Sequence, residues 1–180
     1  LPGQWAGLFA QSGGVVTLNH TLIRYGGGAG WANLATSVGT ATAVTWNGGG
    51  ATASANDGIR ISATNITLSA IFSNANGGDG INGSTNAING LYITGTLGGS
   101  APDQRWLWAE NPDFPYVIGN LSVGGADTLH VASGAVVKFE SGGSTLAMTT
   151  PSAHLKTGTV IGGAETWFTS LKDDARAGDT

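Results

Sequence analysis

Asn56-Asp57-Gly58-Ile59 returns as Gly78-Asp79-Gly80-Ile81, with the two aspartates 22 residues apart. The segments that follow also match: Asn65-Ile66-Thr67-Leu68-Ser69-Ala70-Ile71-Phe72 runs against Asn86-Ala87-Ile88-Asn89-Gly90-Leu91-Tyr92-Ile93. Short strands between Gly/Asn turns, recurring every ~20–25 residues, are the pattern of a β-solenoid. A coil of that kind cannot bury its own apolar face and must stack on its neighbours. The repeat therefore predicts an all-β chain built as a one-dimensional pile.

The rest of the chain agrees with that reading. Apolar residues alternate with polar ones over short stretches, as half-buried strands require, at Val15-Val16-Thr17-Leu18, Ile59-Arg60-Ile61, Ile66-Thr67-Leu68 and Leu91-Tyr92-Ile93. Gly26-Gly27-Gly28, Gly48-Gly49-Gly50, Gly77-Gly78 and Gly98-Gly99 stand where corners need positive φ. Thr17 to Tyr25 resembles the later rungs, and Gly26 to Asn56 reads as an excursion with one strand candidate, Ala43-Val44-Thr45-Trp46. The aromatic, proline-containing stretch from Asp103 to Pro115 reads as a long inserted loop anchored by Trp106 or Trp108.

Strands resume at Tyr116-Val117-Ile118, Leu121-Ser122-Val123, Thr128 to Val131, Val136 to Phe139, Thr145 to Met148, His154-Leu155-Lys156 and Thr166 to Thr169. The expected organisation is one β-solenoid unit over 1–180, with coils in 1–100, a loop over 101–115 and further coils in 116–180. Ile59, Ile61, Ile66, Leu68, Phe72, Val137 and Phe139 are expected to fill its interior.

Composition narrows the function. The 180 residues include 31 glycines, seven Lys/Arg against eleven Asp/Glu, and no cysteine. A net charge of -4 leaves no basic stripe for phosphates, so nucleic acid is not an expected partner. No run is long enough to span a membrane as a helix, and no signal-peptide pattern opens the sequence. The chain is expected to be a mature polypeptide or a piece of a larger one. Without cysteine there are no disulfides and no thiolate metal sites. Low lysine and abundant Thr, Ser, Asn and Gly point to a bacterial or archaeal exterior. Asn19, Asn65, Asn82 and Asn120 open Asn-X-Ser/Thr sequons, each a glycosylation candidate that an Asn- and Thr-rich chain also produces by chance.

Trp5-Ala6-Gly7-Leu8, Thr17-Leu18-Asn19-His20 and Ile23-Arg24-Tyr25-Gly26-Gly27 resemble the opening coils of right-handed parallel β-helix repeats in large secreted bacterial proteins. Pro115 to Ile118, Gly134-Ala135-Val136-Val137-Lys138-Phe139 and Phe168-Thr169-Ser170-Leu171-Lys172-Asp173-Asp174 with Gly178-Asp179-Thr180 resemble the other half of that repeat. The chain departs from it at Asp127 to Ser133, where a T-L-x-I-x-P turn is usual, and between Met148 and His154. The resemblance implies a right-handed helix and carries no ligand or activity. In the family the Phe-Thr-Ser to Gly-Asp-Thr loop leads into a Trp-x-Gly strand. Here the loop stands last and the strand first, so the tail of one copy, or of one repeat in a longer chain, is expected to lead in phase into the head of the next. Contacts between copies, or with flanking repeats, are expected at Leu1, Trp5, Leu8, Trp167, Phe168 and Asp179.

Other chemistry is weighed from the residues. Asp57 and Asp79, if stacked about 4.8 Å apart, would repel, and either Ca²⁺ or Arg60 would offset this. The plainer reading makes both Asx-type turn residues before glycine. Asp173, Asp174 and Asp179 are the one acidic cluster and a calcium candidate, although Lys172 and Arg176 neutralise part of it. No other cofactor is expected. Asp57, Asp79 and Arg60 together make a lyase site on paper, but the Gly-His-Gly and Arg-Ile-Lys phrases of the pectin-cleaving enzymes that share the fold are missing. The expected role is thus non-enzymatic: a structural segment of an extracellular or cell-surface fibre, stalk or adhesin. The alternative is a carbohydrate-binding or polysaccharide-cleaving β-helix with surface glycans as partners, which would show a groove lined by tryptophans with convergent Asp and Arg.

Overall fold

The computed structural model describes residues 1–11, 13–36, 42–64, 66–69, 86–97, 105–108, 115–158, 163–173 and 175, with side chains left aside at 42–48, 63–64, 66–69 and 105–108. In chain order the strands are β1 (Leu8–Ala10), β2 (Val15–Arg24), β3 (Leu34–Thr36), β4 (Thr42–Thr52), β5 (Asp57–Thr64), β6 (Ile66–Ser69) and β7 (Ile88–Leu97). They continue as β8 (Arg105–Trp108), β9 (Tyr116–Val123), β10 (Thr128–Val131), β11 (Val136–Phe139), β12 (Thr145–Met148), β13 (His154–Thr157) and β14 (Trp167–Ser170). The described residues contain no α-helix, only a short 3-10 turn at Gly28–Gly30.

Among the described residues all strand pairings are parallel. One sheet runs β1-β3-β5-β7-β9-β11-β14 with β12 also on β9, a second runs β2-β4-β6, and a third runs β13-β10-β8. Successive strands alternate between the large sheet and a small one up to β11. Along the large sheet the pairing runs from strand to strand: Leu8 pairs with Leu34, Leu34 with Ile59, Ile59 with Leu91, Leu91 with Tyr116, Tyr116 with Val137, and Val137 with Phe168. Because side chains alternate in direction along a strand, this register lines up one column of inward residues. Leu34, Ile59, Leu91, Tyr116 and Val137 are buried in it, and Ile61, Ile93, Ile118, Leu129 and Val131 join them in one core.

The core prediction holds for Ile59, Ile61 and Val137, which are fully buried, and Phe139 packs against them. Ile66 and Leu68 are placed by backbone alone, and Phe72 lies outside the described residues.

Three expectations change. Gly26 to Asn56 is no excursion: β3 and β4 lie there, in register with their neighbours. The stretch read as a loop contains β8, which pairs with β10 from Arg105 to Trp108. The opening repeat also does not give the register. Ile59 pairs with Leu91, not with Ile81, and the matched segments part company, since β6 joins the second sheet while β7 joins the first. An alternating Ile-x-Leu phrase suits any sheet, and only tertiary packing selects which.

Corners are closed by buried amides. Asn33 accepts from the Gly26 amide at 2.7 Å and donates to the Thr52 carbonyl at 2.9 Å. Asn86 accepts from the Ser54 amide at 2.8 Å and donates to the Ala51 carbonyl at 2.8 Å. Each side chain therefore replaces two backbone partners that a bend cannot provide.

Candidate functional site

Two places concentrate unusual chemistry: the open edges of the stack and a charged row on the outer face of the large sheet. At the edges the inward column runs out of partners. Leu8 on β1 is 37% exposed and Phe168 on β14 is 40% exposed, although the residues between them are at most 1% exposed. The third sheet ends the same way, with Leu129 buried on β10 and its partner Leu155 on β13 39% exposed. Among the described residues no strand lies beyond β1 or β14. Leu1 and Trp5 are also exposed, and the Trp5 indole N–H donates to the Arg24 carbonyl at 2.8 Å. Trp167 is half-buried, and Asp179 lies outside the described residues. Near Phe168 an open cleft of about 570 Å³ is lined by Phe139, Glu140, Phe168, Thr169, Ser170 and Lys172, with Ser141 and Gly142.

The outer row is built by register. Arg60 pairs with Tyr92, Tyr92 with Val117, Val117 with Lys138, and Lys138 with Thr169. The Arg60 Nε donates to the Asp57 Oδ2, and its guanidinium lies 4.4 Å from the centre of the Tyr92 ring. The Tyr92 hydroxyl donates to Glu140 Oε2 at 2.9 Å. Gly119 makes that reach possible, because a Cβ there would stand 2.3 Å from the Tyr92 oxygen.

Asp57 has no exposed surface and its Oδ1 has no hydrogen-bond partner. Burial raises its carboxyl above the usual aspartate value, outweighing the opposing pull of Arg60. Burial first, then the bond to Glu140, pushes the Tyr92 phenol up to about 12. Lys138 is fully buried in the same row. Asp57, Arg60, Tyr92 and Glu140 thus contact one another in a single chain of interactions: an ion pair, a cation–π contact and a hydrogen bond.

The other sequence candidates are scattered. Asp57 meets Arg60, whereas Asp79 lies outside the described residues. Asp173 accepts from the Thr169 hydroxyl at 2.7 Å and from the Ala175 amide at 3.1 Å, which closes its own loop, while Asp174 and Asp179 lie outside the described residues. Among the described residues no three His, Asp or Glu side chains converge as metal ligands. Asn19 and Asn120 are exposed on strands, and Asn65 and Asn82 lie outside the described residues. Trp31 packs edge-on against Phe9, with ring centres 4.9 Å apart. No helix of the described residues is long and apolar enough to cross a membrane.

Sequence reasoning missed Asn33, Asn86, Tyr92 and Glu140. The two asparagines had a signal, an Asn at a turn just ahead of an apolar strand. Tyr92 and Glu140 had none, since 48 residues separate them and only the register brings them together. Comparison with family models, curated proteins and solved structures finds no match for this chain.

Proposed function

We propose that the chain is a right-handed parallel β-helix and a structural segment of an extracellular or cell-surface fibre, stalk or adhesin. It stacks head to tail through its open ends, onto a second copy or onto flanking repeats. One observation carries this reading: the apolar column from Leu8 to Phe168 is dry along its length and wet at both ends. Exposed inward apolar residues beside open strand edges are a template for adding another strand. The all-parallel pairing, with strands alternating between sheets, supports the solenoid. Sparse charge suits such a rod, because like charges stacked one strand apart destabilise it. Asn19 and Asn120 offer outward positions for glycans on its surface.

Electron microscopy of the purified 180-residue chain tests this. Fibres with an axial repeat of one subunit are expected, and uniform monomers at high concentration would overturn the self-stacking form. Attachment to flanking repeats would then be tested by adding the neighbouring sequence of the parent chain and asking whether Leu8 and Phe168 become protected.

The competing carbohydrate reading has one observation in its favour, the convergence of Asp57 and Arg60 on an outer sheet face. Against it, the Asp57 carboxylate is fully buried, and the described tryptophan side chains, Trp5, Trp31 and Trp167, lie on the first turns and on β14. Binding to a glycan array that is lost in Arg60→Ala would favour it.

A further inference from the structure

Resting on the head-to-tail reading, we infer the register of the junction: β1 of one copy adds in parallel to β14 of another, with Leu8 on Phe168, Phe9 on Thr169 and Ala10 on Ser170. Three observations lead there. Leu8 and Phe168 occupy the same inward column, so this alignment continues it, and a one-residue slip would turn Phe9 inward and Leu8 out. The cleft at the β14 end is lined by Phe139 and Phe168, which offer apolar surface to an incoming leucine, with Glu140 and Lys172 at the same opening.

The third observation is a second tryptophan at an equivalent place near the free edge. Trp31 stands four residues before Ala35 and packs edge-on against Phe9, the residue paired with Ala35. Trp5 stands at the equivalent place, four residues before Phe9, with its indole held by the Arg24 carbonyl, and at the junction it would lie near whatever pairs with Phe9. In this register that is Thr169, flanked by Trp167. Trp5 is 41% exposed and its indole N–H is already satisfied by Arg24, so covering its ring strands no polar group. The occupant of the β14 edge is thus a second copy, entering by its β1 and Trp5.

The absence of cysteine makes the test clean. Phe9→Cys and Thr169→Cys are prepared separately, mixed, and oxidised with oxidised glutathione. Paired strand positions fall within the Cα separation a disulfide needs. A cross-linked dimer is expected in the mixture and in neither variant alone. Self-cross-linking of Phe9→Cys would mean that like ends meet, and overturns the register. Fibres by electron microscopy without the mixed cross-link overturn the register while leaving head-to-tail stacking intact. Absence of both overturns the stacking itself. Where a cysteine perturbs the circular dichroism spectrum, Leu8→Asp at the exposed β1 edge supplies the second readout: loss of fibre growth is expected, and unchanged growth overturns the proposal.

Discussion

The Tyr92 hydroxyl reaches Glu140 across two strand spacings because Gly119, on the strand between them, has no side chain. Gly119→Ala would drive a methyl into the phenol oxygen. We expect it to cost about 1–3 kcal/mol, as overpacking of a filled site does. Gly142→Ala, where a Cβ meets nothing within 4 Å, is the matched control and is expected to be near neutral. Urea denaturation of the two variants separates steric conflict from a general effect of losing glycine.

Tyrosine titration reads the same contact. The Tyr92 phenol is held at about 12, above its ordinary value of 10.0, so the folded state favours the neutral form. Stability from this group is complete below pH 10 and is lost as pH rises through 12. In absorbance titration at alkaline pH, Tyr92→Phe is expected to remove a late-ionising component. An unchanged late component would show that the phenol is not restrained.

Arg60→Ala leaves the buried Asp57 carboxylate without its cation. We expect a loss of roughly 3 kcal/mol near neutral pH, the low end for a stripped buried pair, because Arg60 keeps 29% of its side chain in solvent. The folded-state value of Asp57 is raised, so its favourable contribution is present below the unfolded value of 3.8 and is lost as pH rises through the folded value. The penalty in Arg60→Ala should therefore shrink on acidification, when Asp57 becomes neutral. Chemical denaturation across acidic and neutral pH checks the slope, and a pH-independent penalty would contradict a buried charge as its cause.

Asn33→Ala and Asn86→Ala each strand a backbone N–H and a carbonyl at a corner. We expect each to cost at least about 2 kcal/mol, since an unsatisfied buried polar group costs about 1–3 kcal/mol. Asn→Asp should also destabilise, because it keeps the acceptor and loses the donor. Thermal melts of the four variants decide this.

Column position should govern apolar truncation. Leu91→Ala, inside the column, is expected to cost about 2–5 kcal/mol. Leu8→Ala and Phe168→Ala, at its ends, should each cost clearly less in the monomer. Their effect should appear instead in assembly, read by sedimentation. Equal losses at all three positions would mean that the ends are already covered.

How much of this was legible follows from particular residues. Ile59-Arg60-Ile61, Leu91-Tyr92-Ile93 and Val136 to Phe139 all form strands, because alternation of apolar residues is a local signal. The partner of each strand was not local. The Asp57-Gly58-Ile59 phrase suggested Ile81 as the next rung, yet Leu91 takes that place, since the chain between rungs varies in length while the pairing does not. The local phrase reads Asp57 first as a turn residue before glycine, with Arg60 only one of two ways to offset a stacked pair of aspartates. The structure instead buries Asp57 fully against Arg60, and burial is set by the neighbouring strands rather than by the local phrase. Tyr92 and Glu140 become neighbours only through the stacking of β7, β9 and β11, which no short motif encodes.

The unequal spacing of the rungs has its own consequence. Tyr116 meets Val137 after 21 residues, whereas Ile59 meets Leu91 after 32, within one continuous column. Closing a longer loop adds only about 0.6 kcal/mol for each doubling of its length. The parts of these segments outside the paired strands β6 and β10 are therefore the natural sites for inserted epitopes or enzyme-recognition sequences, while the column sets the spacing between such insertions.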